Sequence, residues 1–155
     1  VLFVCLGNIC RSPMAEGIFR KKIKERGLQN AFEVDSAGTG PWHVGEPMDP
    51  RTETVLKRHG AYFEHRARQI TPEDFQHYDL ILAADREIER DLVRLAGPFR
   101  DKVHLITEPW GQGEINDPWE GDLWLFEQTY LEIADLVEKW LERLWPGDDE
   151  AGKAP

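Results

Sequence analysis

Cysteine is scarce in this chain. There are two among 155 residues, Cys5 and Cys10, and they share one short stretch. A disulfide framework spreads its cysteines along the sequence, so a secreted scaffold stapled by bridges is excluded, and two free thiols fit a reducing cytoplasm. Long apolar runs are also missing. None approaches the ~20 residues a membrane-spanning helix needs, and no basic leader precedes an apolar stretch, so neither membrane attachment nor secretion is expected. Positive charge is in deficit as well, with 19 Lys and Arg against 29 Asp and Glu and a net charge of -10. Such a surface repels polyanions, so no nucleic-acid partner is expected, although one local anion site remains possible. The hydrophobic content of 41% is ordinary for a globular domain, and the length suits one core. Val1 already stands inside an apolar run, so a few residues of the natural chain are expected to precede it.

Strands and helices alternate along the sequence. Val1–Cys5 has the continuous apolar pattern of a strand buried on both faces. A helix is expected over Ser12–Gly27, with Ser12 as N-cap, Pro13 at the first helical position, Gly27 as terminator, and Ala15, Ile18, Phe19 and Ile23 facing a sheet. Phe32–Asp35 is a second strand candidate, followed by "SAGTGP", which reads as a turn. Helices are expected over Asp49–His59, Thr71–His77 and Asp85–Leu95, and strands over Tyr78–Ala84 and Val103–Ile106. A polar loop, Thr107–Gly121, precedes a long amphipathic helix, Leu123–Leu144, in which Trp124 and Trp140 are expected to pack. The alternation predicts an α/β fold with a four-stranded parallel sheet between two helical layers, a three-layer α-β-α sandwich. One domain is expected over 1–145, with 146–155 as a mobile tail. Ligands of such sheets bind beyond the carboxyl ends of the strands, where Cys5 and Asp117 both fall.

The stretch "CLGNICRSP" carries the chemistry. Between a strand and a helix, this loop can curl its backbone N–H groups around an anion, with the helix N-terminus adding partial positive charge. Gly7 permits the tight backbone, and Asn8 tolerates left-handed dihedrals. Arg11 can hold two oxygens of a phosphoryl group in its planar fork. The same field would favour a thiolate at Cys5, to which Ser12 could donate a hydrogen bond. The competing reading is a buried structural cysteine beside a capped helix. The strand before the loop, Gly7 and Asn8 within it, and Ser-Pro after it favour a nucleophile beneath an oxyanion cradle. Two cysteines at this spacing, with no second pair, do not make a zinc site, and no metal is expected.

The run "VCLGNICRSPMAEGIF" resembles the phosphate-binding loop of the low-molecular-weight protein tyrosine phosphatases. The likeness continues in order through "VDSAGTG", "HRARQIT", "DLILAAD" and "DPWEG", and covers about Val1 to Leu144. It implies a phosphatase that hydrolyses phosphotyrosine without any cofactor. Cys5 would attack phosphorus and become phosphocysteine. Arg11 and the loop from Leu6 through Gly7, Asn8, Ile9 and Cys10 to Ser12 would bind the phosphoryl oxygens. Asp117 would protonate the departing phenolate and then take a proton from the attacking water. A tyrosine hydroxyl has a pKa of ~10, so it leaves poorly unprotonated. The resemblance also implies a network of Asn8, Ser12, Ser36 and His65 supporting the loop, and a groove walled by Leu6, Ile9, Trp42 and Trp119. Cys10 would be the redox partner of Cys5 under oxidation, and packing is its other reading. The implied partner is a phosphotyrosine protein, with an autophosphorylated tyrosine kinase as one class, alongside phosphate and similar oxyanions.

Many members carry two tyrosines after Asp-Pro. Here Trp119 and Glu120 stand there, so control by phosphorylation of that loop is not expected. Three other functions compete. A thioredoxin-coupled arsenate reductase needs relay cysteines beyond Cys10, and the sequence has none. A protein arginine phosphatase would resemble "CTGNTCRS", with a threonine where Ile9 stands, and isoleucine favours an apolar ring. An inactive phosphotyrosine-binding module would be expected to lack the nucleophile or the acid, and Cys5, Arg11 and Asp117 are all present.

Overall fold

The computed structural model describes residues 1–147. The apolar run at the start forms β1, Leu2–Cys5, with every side chain buried. It lies at the centre of a four-stranded sheet with the order β2-β1-β3-β4 and all pairings parallel. The partners are β2 (Asp35–Gly38), β3 (Ile81–Ala83) and β4 (Val103–Leu105). The connections run outward from β1 to β2 on one side and through β3 to β4 on the other. A crevice therefore opens beyond the carboxyl ends of β1 and β3.

Among the described residues, five α-helices surround the sheet. They are α1 (Arg11–Glu25), α2 (Pro50–Arg58), α3 (Pro72–His77), α4 (Arg86–Ala96) and α5 (Leu123–Leu144). One core lies between α1, α2, α5 and one face of the sheet, and includes Phe3, Phe19, Leu82, Phe126 and Ile133. The other lies under α3 and α4, with Leu2, Val4, Phe75, Ile81, Ile88 and Leu92. Alternate residues of β1 thus feed opposite cores, which is why the strand is apolar throughout. Phe19 is wholly buried, with edge-on contacts to Phe3 and Phe32 at centroid distances of 5.8 and 5.4 Å. Burying one such side chain contributes about 1.5–3 kcal/mol. No helix among the described residues is long and apolar enough to cross a membrane.

Three expectations are corrected. Ser12 does not cap α1. The cap position is Cys10, which makes no side-chain cap bond, so Arg11 and not Pro13 is the first helical residue, and Ser12 lies inside the first turn with its hydroxyl engaged elsewhere. The second strand is not Phe32–Asp35 but Asp35–Gly38, so the first half of the expected turn "SAGTGP" is strand. Its small residues answer a steric demand. A Cβ on Gly38 would stand 2.8 Å from the Leu6 carbonyl oxygen and 3.2 Å from the Asn8 nitrogen, because the loop after β1 crosses there. Trp124 does not pack into its helix interface. It is 67% exposed, off the face of α5 that buries Phe126, Tyr130 and Ile133, whereas Trp140 is buried. The tail expected over 146–155 lies, from residue 148 onward, outside the described residues.

Candidate active site

Every feature of the site starts from the loop Leu6–Cys10, between β1 and α1. Asn8 is the one non-glycine residue with positive φ, at 60°, among those described, and it is fully buried. Left-handed backbone costs a side chain about 1–3 kcal/mol, so the surroundings must hold it. They do so from every side. Asn8 Nδ2 donates to Ser12 Oγ at 2.8 Å and to Ser36 Oγ at 3.0 Å. Its Oδ1 accepts the Arg68 backbone N–H at 2.9 Å, and its carbonyl accepts from His65 Nε2 at 2.8 Å. The expected quartet of Asn8, Ser12, Ser36 and His65 is therefore assembled, and Arg68 joins it. His65 is buried, and burial lowers its pKa although the Asn8 carbonyl pulls the other way.

Cys5 ends β1 with its sulfur 3.0 Å from Ser12 Oγ. This contact explains why the Ser12 hydroxyl is not spent on capping. The 15-residue α1 starts at Arg11, so its N-terminal partial charge falls on the same spot. Arg11 is itself 4% exposed. Its Nη1 donates to Asp85 Oδ2 at 2.7 Å and to the Ile115 carbonyl at 2.8 Å. Its Nη2 stands 3.8 Å from Asp117 Oδ2. Burial works against the guanidinium charge, but Cys5, Asp85 and Asp117 raise its pKa above the ordinary value. A cation held by one edge leaves its other edge for an oxyanion.

Asp117 sits in the loop before α5, with its side chain 43% exposed. Its Oδ1 accepts the Trp119 N–H at 3.1 Å, as in a turn, while Oδ2 faces Arg11. Turn chemistry and proximity to the loop thus coexist in one residue. Between these elements lies a cleft of about 230 Å³, floored by Cys5, Cys10 and Arg11 and walled by Leu6, Ile9, Trp42, Asp117 and Trp119. Every residue expected to line the groove is there. Cys5 and Cys10 are both free thiols. Burial pushes the Cys10 thiol far up, helped by the negative charges of Asp49, Cys5 and Asp117.

Several participants escape a reading of the sequence. Asp85 anchors Arg11 and also caps α4 by accepting from Ile88 N at 2.8 Å. Its place just past the third strand was the available signal. His43 lines the cleft beside Trp119, with ring centroids 5.8 Å apart, and packs against Gly7, where a Cβ would meet it at 2.9 Å. Arg51 pairs with Asp49, donates to the Gly121 carbonyl at 2.7 Å and lies over the Trp119 ring at 5.6 Å. It ties the start of α2 to the Asp117 loop.

A thiol beneath a helix N-terminus, a buried arginine and an acid at the cleft rim can together carry a phosphoryl group through a covalent intermediate. On this sheet they are the marks of a small cysteine-dependent phosphatase. Residues 1–147 match the family described as low molecular weight phosphotyrosine protein phosphatase. The low molecular weight protein-tyrosine-phosphatase of Streptomyces coelicolor is 47% identical over 148 residues, covering 91% of this chain and 90% of that one. A crystal structure of protein tyrosine phosphatase from Entamoeba histolytica is similar with a TM-score of 0.89 and 31% identity, covering 94% of this chain and 96% of that one. A structure of the arginine phosphatase YwlE is similar at a TM-score of 0.84 and 30% identity, covering 92% and 93%. The chain belongs to the low molecular weight phosphotyrosine protein phosphatase family, and as a member it is a phosphatase that works through a cysteine.

Proposed function

We propose that this protein hydrolyses phosphotyrosine on proteins, with Cys5 as nucleophile, Arg11 and the backbone of Leu6–Ser12 as the phosphoryl cradle, and Asp117 as general acid and then general base. The observation that carries the reading is the convergence of the Cys5 sulfur, the Arg11 guanidinium and the Asp117 carboxyl in one cleft. In the first step the Cys5 thiolate attacks phosphorus, the bond to the tyrosine oxygen breaks, and Asp117 gives that oxygen its proton. In the second, water attacks phosphocysteine, Asp117 takes the water's proton, and phosphate leaves as the thiolate reforms. Arg11 and the loop N–H groups stabilise the charge on the equatorial oxygens in both steps.

The ring of the substrate is assigned to the walls formed by Leu6, Ile9, Trp42 and Trp119. Aromatic and aliphatic faces on both sides suit a flat phenyl group. Trp42 is 67% exposed and Trp119 47%, so both also reach the polypeptide around the phosphotyrosine. A tyrosine kinase bearing its own phosphotyrosines is the partner class to test first, and a reducing cytoplasm suits the two free thiols. The experiment is side-by-side hydrolysis of matched phosphotyrosine, phosphoserine and phosphoarginine peptides without added metal. The expected result is a kcat/KM highest for phosphotyrosine. A higher value for phosphoarginine would overturn the substrate assignment and leave the cysteine mechanism standing.

A further inference from the structure

Glu16 lies on α1 with 1% exposure and takes no part in the chemistry above. Its Oε1 accepts from Ser36 Oγ at 2.7 Å, and its Oε2 accepts from Arg20 Nε at 2.7 Å. An ionised carboxylate has no proton to give, so the Ser36 proton must point to Glu16. Ser36 Oγ therefore offers only lone pairs to Asn8 Nδ2, 3.0 Å away. The Arg68 backbone N–H, 2.9 Å from Asn8 Oδ1, favours the same orientation of the amide, so Glu16 through Ser36 and Arg68 hold it together. Both Nδ2 hydrogens are then donated, one to Ser36 and the other to Ser12 Oγ at 2.8 Å. Ser12, having accepted from Asn8, has its own proton directed at the Cys5 sulfur, 3.0 Å away.

We propose that Glu16 is a positioning residue of the reaction, its carboxylate acting with the Arg68 N–H to hold the sense of the Ser36–Asn8–Ser12 hydrogen-bond chain in which the Ser12 hydroxyl donates to the Cys5 sulfur. This rests on Cys5 being the nucleophile. Donation to a thiolate is a charge-assisted bond, roughly twice as strong as a neutral one. It favours the ionised sulfur before attack and stabilises it again when it is expelled from phosphorus. A glutamate needed only to pair with Arg20 four residues on would gain as much at the surface, where neither charge is desolvated. Here the carboxylate is buried while Arg20 stays 46% exposed. The charged groups facing Glu16 are Arg20 on its own helix and Asp35 at the start of β2. Burial raises its pKa, Ser36 and Arg20 pull it back down, and Asp35 adds to the rise.

The test follows the pH dependence of Cys5 alkylation by iodoacetamide, with the labelled peptide mapped by mass spectrometry, alongside kcat and KM for a phosphotyrosine peptide. Glu16→Gln keeps the volume, but its amide nitrogen must face either Ser36 or Arg20. The alkylation midpoint should rise by about one pH unit, about tenfold in thiolate at a fixed lower pH, and kcat should fall with KM little changed. Ser36→Ala should give the same rise, and Glu16→Gln/Ser36→Ala no further rise, because Glu16 acts through Ser36. Glu16→Gln/Arg20→Met should return towards wild type, since the amide is then free to turn its oxygen to Ser36. If Glu16→Gln does not fold, Ser36→Ala and the Arg20→Met double variant carry the comparison. A midpoint unmoved in Glu16→Gln or Ser36→Ala, or additive shifts in their double variant, overturns the role of Glu16 while Cys5 stands. Labelling at Cys10 with Cys5 unreactive, or turnover by Cys5→Ser, sinks the nucleophile assignment and this inference with it.

Discussion

Two side chains at the cleft divide the labour of proton and electron. Asp117 reaches its position through a turn, Oδ1 bound to the Trp119 N–H and Oδ2 turned towards Arg11. Removing its carboxyl in Asp117→Ala should cost roughly 10²–10⁴-fold in turnover of phosphotyrosine, the usual range for general acid catalysis. The loss should shrink for an aryl phosphate whose leaving group is a weak base. Steady-state kinetics on the two substrates decides, and equal losses would assign Asp117 to loop geometry instead. Cys10 is the second case. Oxidised Cys5–SOH and the Cys10 thiol can condense to a disulfide with loss of water. Peroxide-inactivated wild type should then recover on thiol addition, while Cys10→Ser drifts to permanent loss. Equal recovery of the two proteins would return Cys10 to packing. Its raised pKa keeps Cys10 from competing as the nucleophile, and it slows resolution too, because the Cys10 proton must leave before the sulfur can attack Cys5–SOH.

At the scale of elements, β2 and the phosphate loop share one constraint. Gly38 lies where the loop backbone crosses the strand end, and its absent Cβ makes room for Leu6 and Asn8. Gly38→Ala should push the loop aside, lowering stability by about 1–3 kcal/mol, as overpacking does. It should lower kcat/KM more than a core substitution of equal cost. Urea unfolding and kinetics on the same preparation check this, and intact activity would mean the loop tolerates the shift. The same place shows where a sequence misleads. "SAGTG" has the composition of a turn, yet its first three residues, Ser36–Gly38, are strand under a tightly apposed loop. Ser12 before Pro13 has the form of a cap, yet its hydroxyl is taken by sulfur and by Asn8. In both cases a tertiary contact outweighs the local preference. By contrast, α5 runs over Leu123–Leu144 as its apolar spacing indicates, capped by Asp122. Helices α2 and α4 begin after the side-chain caps Asp49 and Asp85.

For the molecule as a whole, the site and the stability are joined through buried polar groups. The catalytic trio was readable because each member stands in a distinctive local string, "CLGNICRS" or "NDPWEG". The supports were harder to read: Asp85 and Arg51 meet the site only across the fold, and Glu16, although it follows the loop on α1, reaches the network through Ser36 on β2. His65 makes the coupling measurable. Burial holds its native pKa below the ordinary 6.5 of a histidine, so the native state prefers the neutral ring. That contribution is complete above 6.5 and is lost as pH falls from there through the lowered native value. Unfolding free energy should therefore decline as pH falls below about 6.5, and less steeply in His65→Gln, where all other groups are unchanged. Equal slopes would place the His65 ring outside this linkage. The central claim is that the phosphoryl group passes through Cys5. The most direct measurement is a denaturant-quenched reaction of Asp117→Ala with a phosphotyrosine peptide, read by mass spectrometry of the fragments. Breakdown of the intermediate is slowed there as well as its formation. The account predicts one phosphoryl group on the fragment containing Cys5 and none on Cys5→Ser. A phosphoryl group on any other residue, or turnover by Cys5→Ser, would contradict it.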